Sequence, residues 1–234
     1  GMAEYIRVRD YRVQQLHQMP NVEIYLDSKL GVQDVLDFGA AHVAIATGAR
    51  WRCDVFNGKR FVPVADDGQR IFTPDDIMEG DLPDGPVIVY DTDGYYMGGV
   101  VAERLRADGR EVTLVTPDDR VSHWSLNTGE GWRVPGHLIG LGITLVTAHS
   151  LRWFDGQQAT LACEHSGREH PIVAAGLVVV GQRTPVDALY QALQSQGETM
   201  TLPFSLRRIG DCEAPAIIAA ATYAGHPVAA AVAL

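Results

Sequence analysis

Between Gly85 and Pro117 the chain runs through a short apolar stretch, a polar turn, a helical stretch and a second apolar stretch. That order restricts the fold more than any other feature of the sequence. Val87 to Tyr90 reads as a buried strand, Tyr96 to Ala107 as a helix closed by Asp108-Gly109, and Glu111 to Thr116 as the next strand. Two apolar strands joined through a helix cannot form a tight antiparallel hairpin. They lie parallel, with the helix as a right-handed crossover packed on the sheet. The expected class is α/β.

The flanking sequence extends this pattern. Ala3 to Met19 reads as a helix with Ile6, Val13 and Leu16 on one stripe, and Pro20-Asn21 ends it. Val22 to Leu26 reads as a strand, Val32 to Phe38 as a short helix closed by Gly39, and His42 to Ala46 as an apolar strand. Arg50 to Gly80 is expected to be an irregular crossing in which Thr73-Pro74-Asp75-Asp76 starts a helical turn. Further on come a helix over Trp132 to Leu141, a strand over Ile143 to Thr147 and a hairpin turning at Ser166-Gly167. A strand over Leu177 to Val180, a helix over Pro185 to Gln194 and a strand over Leu206 to Ile209 follow. The Ala-rich stretch from Ala214 to Leu234 reads as a packed helix that Pro227 kinks or ends. Ala44 to Arg50 and Val178 to Arg183 end alike, which suggests two related, doubly wound lobes, one inserted into the other. The expected boundaries are 3–82 with 186–234 for the outer lobe and 83–185 for the inserted one.

The turn after the central strand carries the functional question. A dinucleotide turn uses three glycines: for the tight bend, for backbone approach to the pyrophosphate, and for packing of the helix. Here Asp91 and Asp93 stand in the first two positions, and a packing glycine arrives late, at Gly98 or Gly99. Two carboxylates beside a helix N-terminus satisfy its dipole and its free N–H groups themselves. Each would also repel a phosphate by on the order of 1 to 4 kcal/mol at 4 Å in partly wet surroundings. The favoured reading is a self-capped crossover that does not bind NAD. A rival reading takes Asp91-Thr92-Asp93-Gly94 as the loop of a haloacid-dehalogenase-like phosphatase. Asp91 would be nucleophile, Asp93 acid/base, Thr116 a phosphate contact and Asp118-Asp119 a magnesium pair. Against it, the only lysines, Lys29 and Lys59, lie upstream of the loop, whereas phosphoryl transfer needs a complete charge clamp.

Several segments together are more specific than any glycine pattern. They are Asp10-Tyr11-Arg12, Ala46 to Arg52, Thr73 to Asp76, Tyr95-Tyr96-Met97-Gly98-Gly99, Val112 to Pro117, and Arg208 to Pro215. With them the chain resembles the C-terminal part of the trimethylamine, dimethylamine and histamine dehydrogenase group, within the wider family of old-yellow-enzyme-like iron–sulfur flavoprotein reductases. The resemblance implies two linked Rossmann-like (glutathione-reductase-like) lobes with parallel sheets, the first incomplete because its opening strand and glycine turn are missing. It implies an ADP or FAD site in that first lobe and a silent NAD-like second lobe. FMN and a 4Fe–4S cluster would belong to an N-terminal barrel not seen in this sequence. Matching motif positions place cofactor contact at Thr47, Gly48, Gly210 and Asp211, with Arg50 and Glu213 as weaker candidates. The alternative at each is a structural turn or cap. With the primary phosphate loop missing, little or no nucleotide binding is expected, and an unfinished lobe is expected to be completed by another chain or copy.

Composition closes off other classes. A net charge of -10 argues against nucleic acid, whose phosphates need clustered Lys and Arg. No apolar run approaches the roughly 18 to 20 residues of a membrane span. Cys53, Cys163 and Cys212 lie far apart without CxxC spacing, which suits a reducing cytoplasm and is too few for an iron–sulfur cluster. Gly1-Met2 reads as a cloning remnant before a start codon, and no signal peptide follows it. A two-residue turn at Ser166-Gly167 would set Cys163, His165 and His170 on one hairpin face, but no fourth ligand is apparent and no metal is expected. Trp124, Trp132 and Trp153 read as core or interface aromatics. No histidine shows triad spacing with Ser, Cys or Asp, so no catalytic residue is assigned.

Overall fold

The structure is a computed structural model that describes residues 6–56, 61, 71–199 and 201–232. Lys59 and most of the irregular stretch between β2 and β3 lie outside the described residues. In chain order the elements are α1 (Ile6–His17), α2 (Val32–Asp37), β1 (His42–Ile45), β2 (Ala49–Trp51), β3 (Ile71–Phe72), α3 (Pro74–Glu79), β4 (Val87–Asp91), α4 (Met97–Ala107) and β5 (Val112–Val115). They continue with α5 (Arg133–Gly140), β6 (Thr144–Val146), β7 (His149–Phe154), β8 (Gln158–Cys163), β9 (Glu169–Val173), β10 (Gly176–Val180), β11 (Arg183–Pro185), α6 (Ala188–Thr199), β12 (Ser205–Arg208), α7 (Ile218–Tyr223) and α8 (Gly225–Val232).

The described chain divides into two compact units, one over Trp51–Gln182 and one formed by the segments on either side. The first division therefore falls at Trp51 and not at residue 82. The reason is local: Ile71 and Phe72 pair in parallel with Leu177 and Val178, and Phe72 and Ile77 enter the core of the inserted unit. Thr73 fixes the start of α3. Its hydroxyl accepts from Asp76 N while Asp76 Oδ2 accepts from Thr73 N at 2.7 Å, a reciprocal cap.

The inserted unit is built on a five-stranded sheet in the order β3-β10-β4-β5-β6, parallel at every pairing. Its central strand, β4, is buried along its whole length, so alternate side chains serve two cores. Val87 and Val89 face Val101, Ala102 and Leu105 of α4. Ile88 and Tyr90 face Leu151, Phe154 and Leu161 of the antiparallel sheet β7-β8-β9. Among the described residues, helices thus cover one face only. The other carries a three-stranded sheet where a doubly wound lobe would place helices.

In the outer unit, β1 and β12 form a two-stranded parallel ladder, His42 opposite Ser205 through Ile45 opposite Arg208. Val35 of α2, Leu193 of α6, Ile45, Phe204 and Cys212 make its core. Three sequence expectations change here. Val22 to Leu26 forms no strand among the described residues: no neighbour pairs with it, and Leu26 already belongs to a turn. α1 forms as expected, yet none of its residues is buried. The Ala-rich end is two helices, since Pro227 cannot follow Tyr223 in one helix without its ring meeting that residue's carbonyl. The chain breaks at Ala224, and the proline sits in the first turn of α8, where its missing N–H costs nothing. No helix of the described residues is long and apolar enough to cross a membrane.

Candidate functional site

In an open parallel sheet, ligands sit outside the carboxyl ends of the strands where the strand order reverses. In the inserted unit that point lies between β4 and β10. The chain's own atoms close it. Thr92 N and Asp93 N both donate to Val180 O, at 2.8 and 3.3 Å.

Asp91 fills what remains. By the alternation that points Val87 and Val89 at α4, Asp91 also points under that helix, and it is wholly buried. Its Oδ1 accepts from Asp93 N and Gly94 N, both at 3.0 Å, so two main-chain donors of the turn are spent on the protein's own carboxylate. Its Oδ2 has no hydrogen-bond partner among the described residues. Burial pushes the carboxyl up to about 7, opposed by the Gly94 N–H and reinforced by the neighbouring charges of Asp93 and Asp118. Gly98 makes the arrangement sterically possible: a Cβ there would stand 2.5 Å from Asp91 Cγ and 2.8 Å from its Cβ. The late glycine of the sequence therefore packs the helix against an aspartate, where a dinucleotide turn packs it against the strand.

The turn is also held from above. Gly94 adopts a φ of 65°, and a side chain there would run into the His123 ring. Trp124 N donates to Gly94 O at 3.1 Å, and His123 Nδ1 lies 2.7 Å from Asp118 Oδ2. Sequence reasoning missed His123 because nothing in its spacing announces a contact with a turn nearly thirty residues earlier. The phosphatase reading finds no support here. Its nucleophile is buried, Asp118 faces a histidine, and Asp119 lies on the surface beside Arg120 at 3.6 Å.

The predicted nucleotide residues lie in the outer unit, and the structure brings four of the six together. Gly48 bends at φ 78°, and its carbonyl accepts from Val186 N at 2.9 Å. The Thr47 hydroxyl donates to Val186 O and lies 3.2 Å from Cys212 Sγ, which seats Thr47-Gly48 beside Gly210-Asp211. Gly210 opens no α-helix. It begins a three-residue 3-10 turn, at φ 62°, and its carbonyl accepts from Glu213 N and Ala214 N. Asp211 is engaged within the fold: Oδ2 accepts from Arg183 Nη1 at 2.8 Å and Oδ1 from Ala216 N at 3.1 Å. Arg183, which sequence reasoning passed over, completes the clasp by donating to Ala216 O at 3.1 Å. The side chains of Arg50, on β2, and of Glu213 are exposed and take no part in the clasp.

The hairpin pairs in a different register from the one expected. Leu161 faces His170 and Ala162 faces Glu169, while Cys163 N donates to Arg168 O. The connection is thus the four residues 164–167, because Gly167 N closes the turn back onto Cys163 O at 2.8 Å. His165 falls in the turn, and no group of three His, Cys, Asp or Glu residues that could hold a metal occurs among the described residues.

No family model matches the chain. Among solved structures it is similar to histamine dehydrogenase from Rhizobium sp. 4-9, with 39% identity and a TM-score of 0.91 over 98% of this chain and 36% of that one. It is similar to the 6-hydroxypseudooxynicotine amine oxidase HisD of Pseudomonas geniculata N1, with 40% identity and a TM-score of 0.90 over 97% of this chain and 34% of that one. Dimethylamine dehydrogenase of Hyphomicrobium sp. (strain x) is 28% identical over 261 aligned positions, 98% of this chain and 35% of the relative. The chain spans about a third of the length of these relatives. Across nearly all of that span, sequence and fold agree: the chain is homologous to the C-terminal region of the dimethylamine and histamine dehydrogenase group of oxidoreductases.

Proposed function

We propose that this chain is the nucleotide-lobe-like region of an amine-dehydrogenase-type flavoprotein oxidoreductase, with a structural or docking role and no catalysis of its own. The observation that carries this reading is Asp91. Its buried carboxyl accepts the two turn N–H groups that a pyrophosphate would need. The inserted unit is then a silent dinucleotide-like lobe, and ADP or FAD contact, where it exists, belongs to Thr47, Gly48, Gly210 and Asp211 of the outer unit. Because Asp211 and Thr47 already serve internal bonds, their capacity for a nucleotide is small. Calorimetric titration of the chain with NADH, ADP and FAD tests this directly, with no NADH binding expected. Turnover of a methylated amine by this chain alone, supplied with FMN and ADP, would overturn it.

A second reading concerns a partner. β1 pairs on one edge only among the described residues, and an open strand edge invites another strand. On this reading the outer unit completes its sheet with another chain or a second copy. Light scattering across a concentration series checks self-association, and a monomer at all concentrations removes the second copy as occupant.

A further inference from the structure

A cleft of about 400 Å³ lies within the outer unit, inside the size range of small-molecule sites. Tyr190 of α6, the strand β12, Glu213 and the α7–α8 corner with Tyr223 and Pro227 enclose it. Consecutive positions of β12, Leu206, Arg207 and Arg208, and Ile209 after it all line the cleft, so it runs along the strand. One edge of β12 belongs to β1. Ser205 N donates to Ala41 O and Ile209 N to Ile45 O, both at 3.0 Å. By alternation the peptide groups of Leu206 and Arg208 point away from β1, along the edge of β12 that no strand pairs with among the described residues.

The charges lining it are of two kinds. Arg208 is committed, with Nη1 2.6 Å from Asp187 Oδ2 and its guanidinium 4.7 Å above the Tyr190 ring. Arg207 and Glu213 carry opposite charges into the same cleft, yet neither forms an ion pair with the other or with any described residue. The cleft therefore offers an unpaired N–H and C=O edge, a guanidinium, a carboxylate and a tyrosine ring at its mouth.

We propose that this cleft binds a small planar heterocycle carrying a lactam-type N–H/C=O edge and an anionic substituent, the class to which pyrimidine carboxylates belong. The lactam edge pairs with the free peptide groups of β12 as a neighbouring strand would, and the ring lies against Tyr223. Arg207 takes the anion and Glu213 accepts a ring N–H. This site lies on the edge of β12 that β1 does not use and does not depend on the amine-dehydrogenase reading, so the calorimetric and turnover assays above leave it untouched.

The test is an amide NMR titration of the full chain with uracil-6-carboxylate, with uracil and benzoate as the probes lacking the anion and the lactam edge. Expected are saturable shifts confined to residues 206–213 and 223–228, with a dissociation constant on the order of 1 mM or tighter. About tenfold weakening is expected for each truncated probe and for Arg207→Ala and Glu213→Gln. Both residues are exposed, so these variants keep the fold. Absence of saturable shifts at these amides up to roughly ten times that concentration, or equal binding by Arg207→Ala, overturns the proposal.

Discussion

Asp91 and Gly98 form one unit of function, a carboxyl and the missing side chain that makes room for it. Gly98→Ala forces either the carboxyl or the start of α4 to move, because the added Cβ lies within 2.8 Å of three Asp91 side-chain atoms. A loss of about 1–3 kcal/mol is expected from such overpacking, read as a lower urea midpoint with unchanged slope. The same carboxyl gives a pH dependence of defined sign. Folded, it titrates near 7, against 3.8 for its ordinary value. Between those values the folded chain holds a proton that the unfolded chain has released. Stability from this group is therefore complete below about 4, falls at up to about 1.4 kcal/mol per pH unit as pH rises, and levels off above 7. Asp91→Asn removes that slope. The variant is expected to gain on the order of 2–3 kcal/mol relative to the parent between pH 5 and pH 8, measured as the difference between two urea series. Parallel curves for the two proteins would show that the carboxyl is not titrating inside the fold.

At the scale of elements, the places where sequence reading succeeded and failed have a common physical reason. The helix α3 was legible from Thr73-Pro74-Asp75-Asp76 because a cap is a local chemical event, complete within four residues. Thr73→Ala is expected to cost about 1 kcal/mol, visible as a lower thermal midpoint. The strand at Val22 to Leu26 was misread because a strand exists only through a partner, and composition cannot supply one. The hairpin register failed for a related reason. Ser166-Gly167 has the residue types of a two-residue turn, yet Gly167 N bonds to Cys163 O and lengthens the connection, moving each cross-strand partner by two positions. The last helix was half legible: Pro227 announced a break, and the carbonyl of Tyr223 fixed where it falls.

For the whole molecule, burial predicts a gradient of local stability. β4 and β10 are buried at every position, whereas α1 has no buried residue and carries Ile6, Tyr11 and Val13 at 39% exposure or more. A twelve-residue helix without tertiary support is marginal in water. Amide exchange is therefore expected to be slowest in β4 and β10 and fastest in α1, by several orders of magnitude. Comparable protection in α1 would mean that another surface covers it. The division into units belongs to this scale too. The sequence reading placed the boundary between residues 82 and 83, while the fold places it at Trp51, because Ile71 and Phe72 pair on β10.

The sequence by itself determined the α/β class, the parallel crossover from β4 to β5, the loss of the dinucleotide glycines and the resemblance to the amine dehydrogenase group. All of these are written in residue types at short spacing. Only the tertiary structure decided that Asp91 is buried beneath Gly98, that Thr92 and Asp93 close the crevice onto Val180, and that Arg183 clasps Asp211. It also decided that an antiparallel sheet covers one face of the parallel one. Each of these joins residues between seven and about ninety positions apart. Chain-local preferences set which conformations are open to a segment, and the competition for buried partners selects among them.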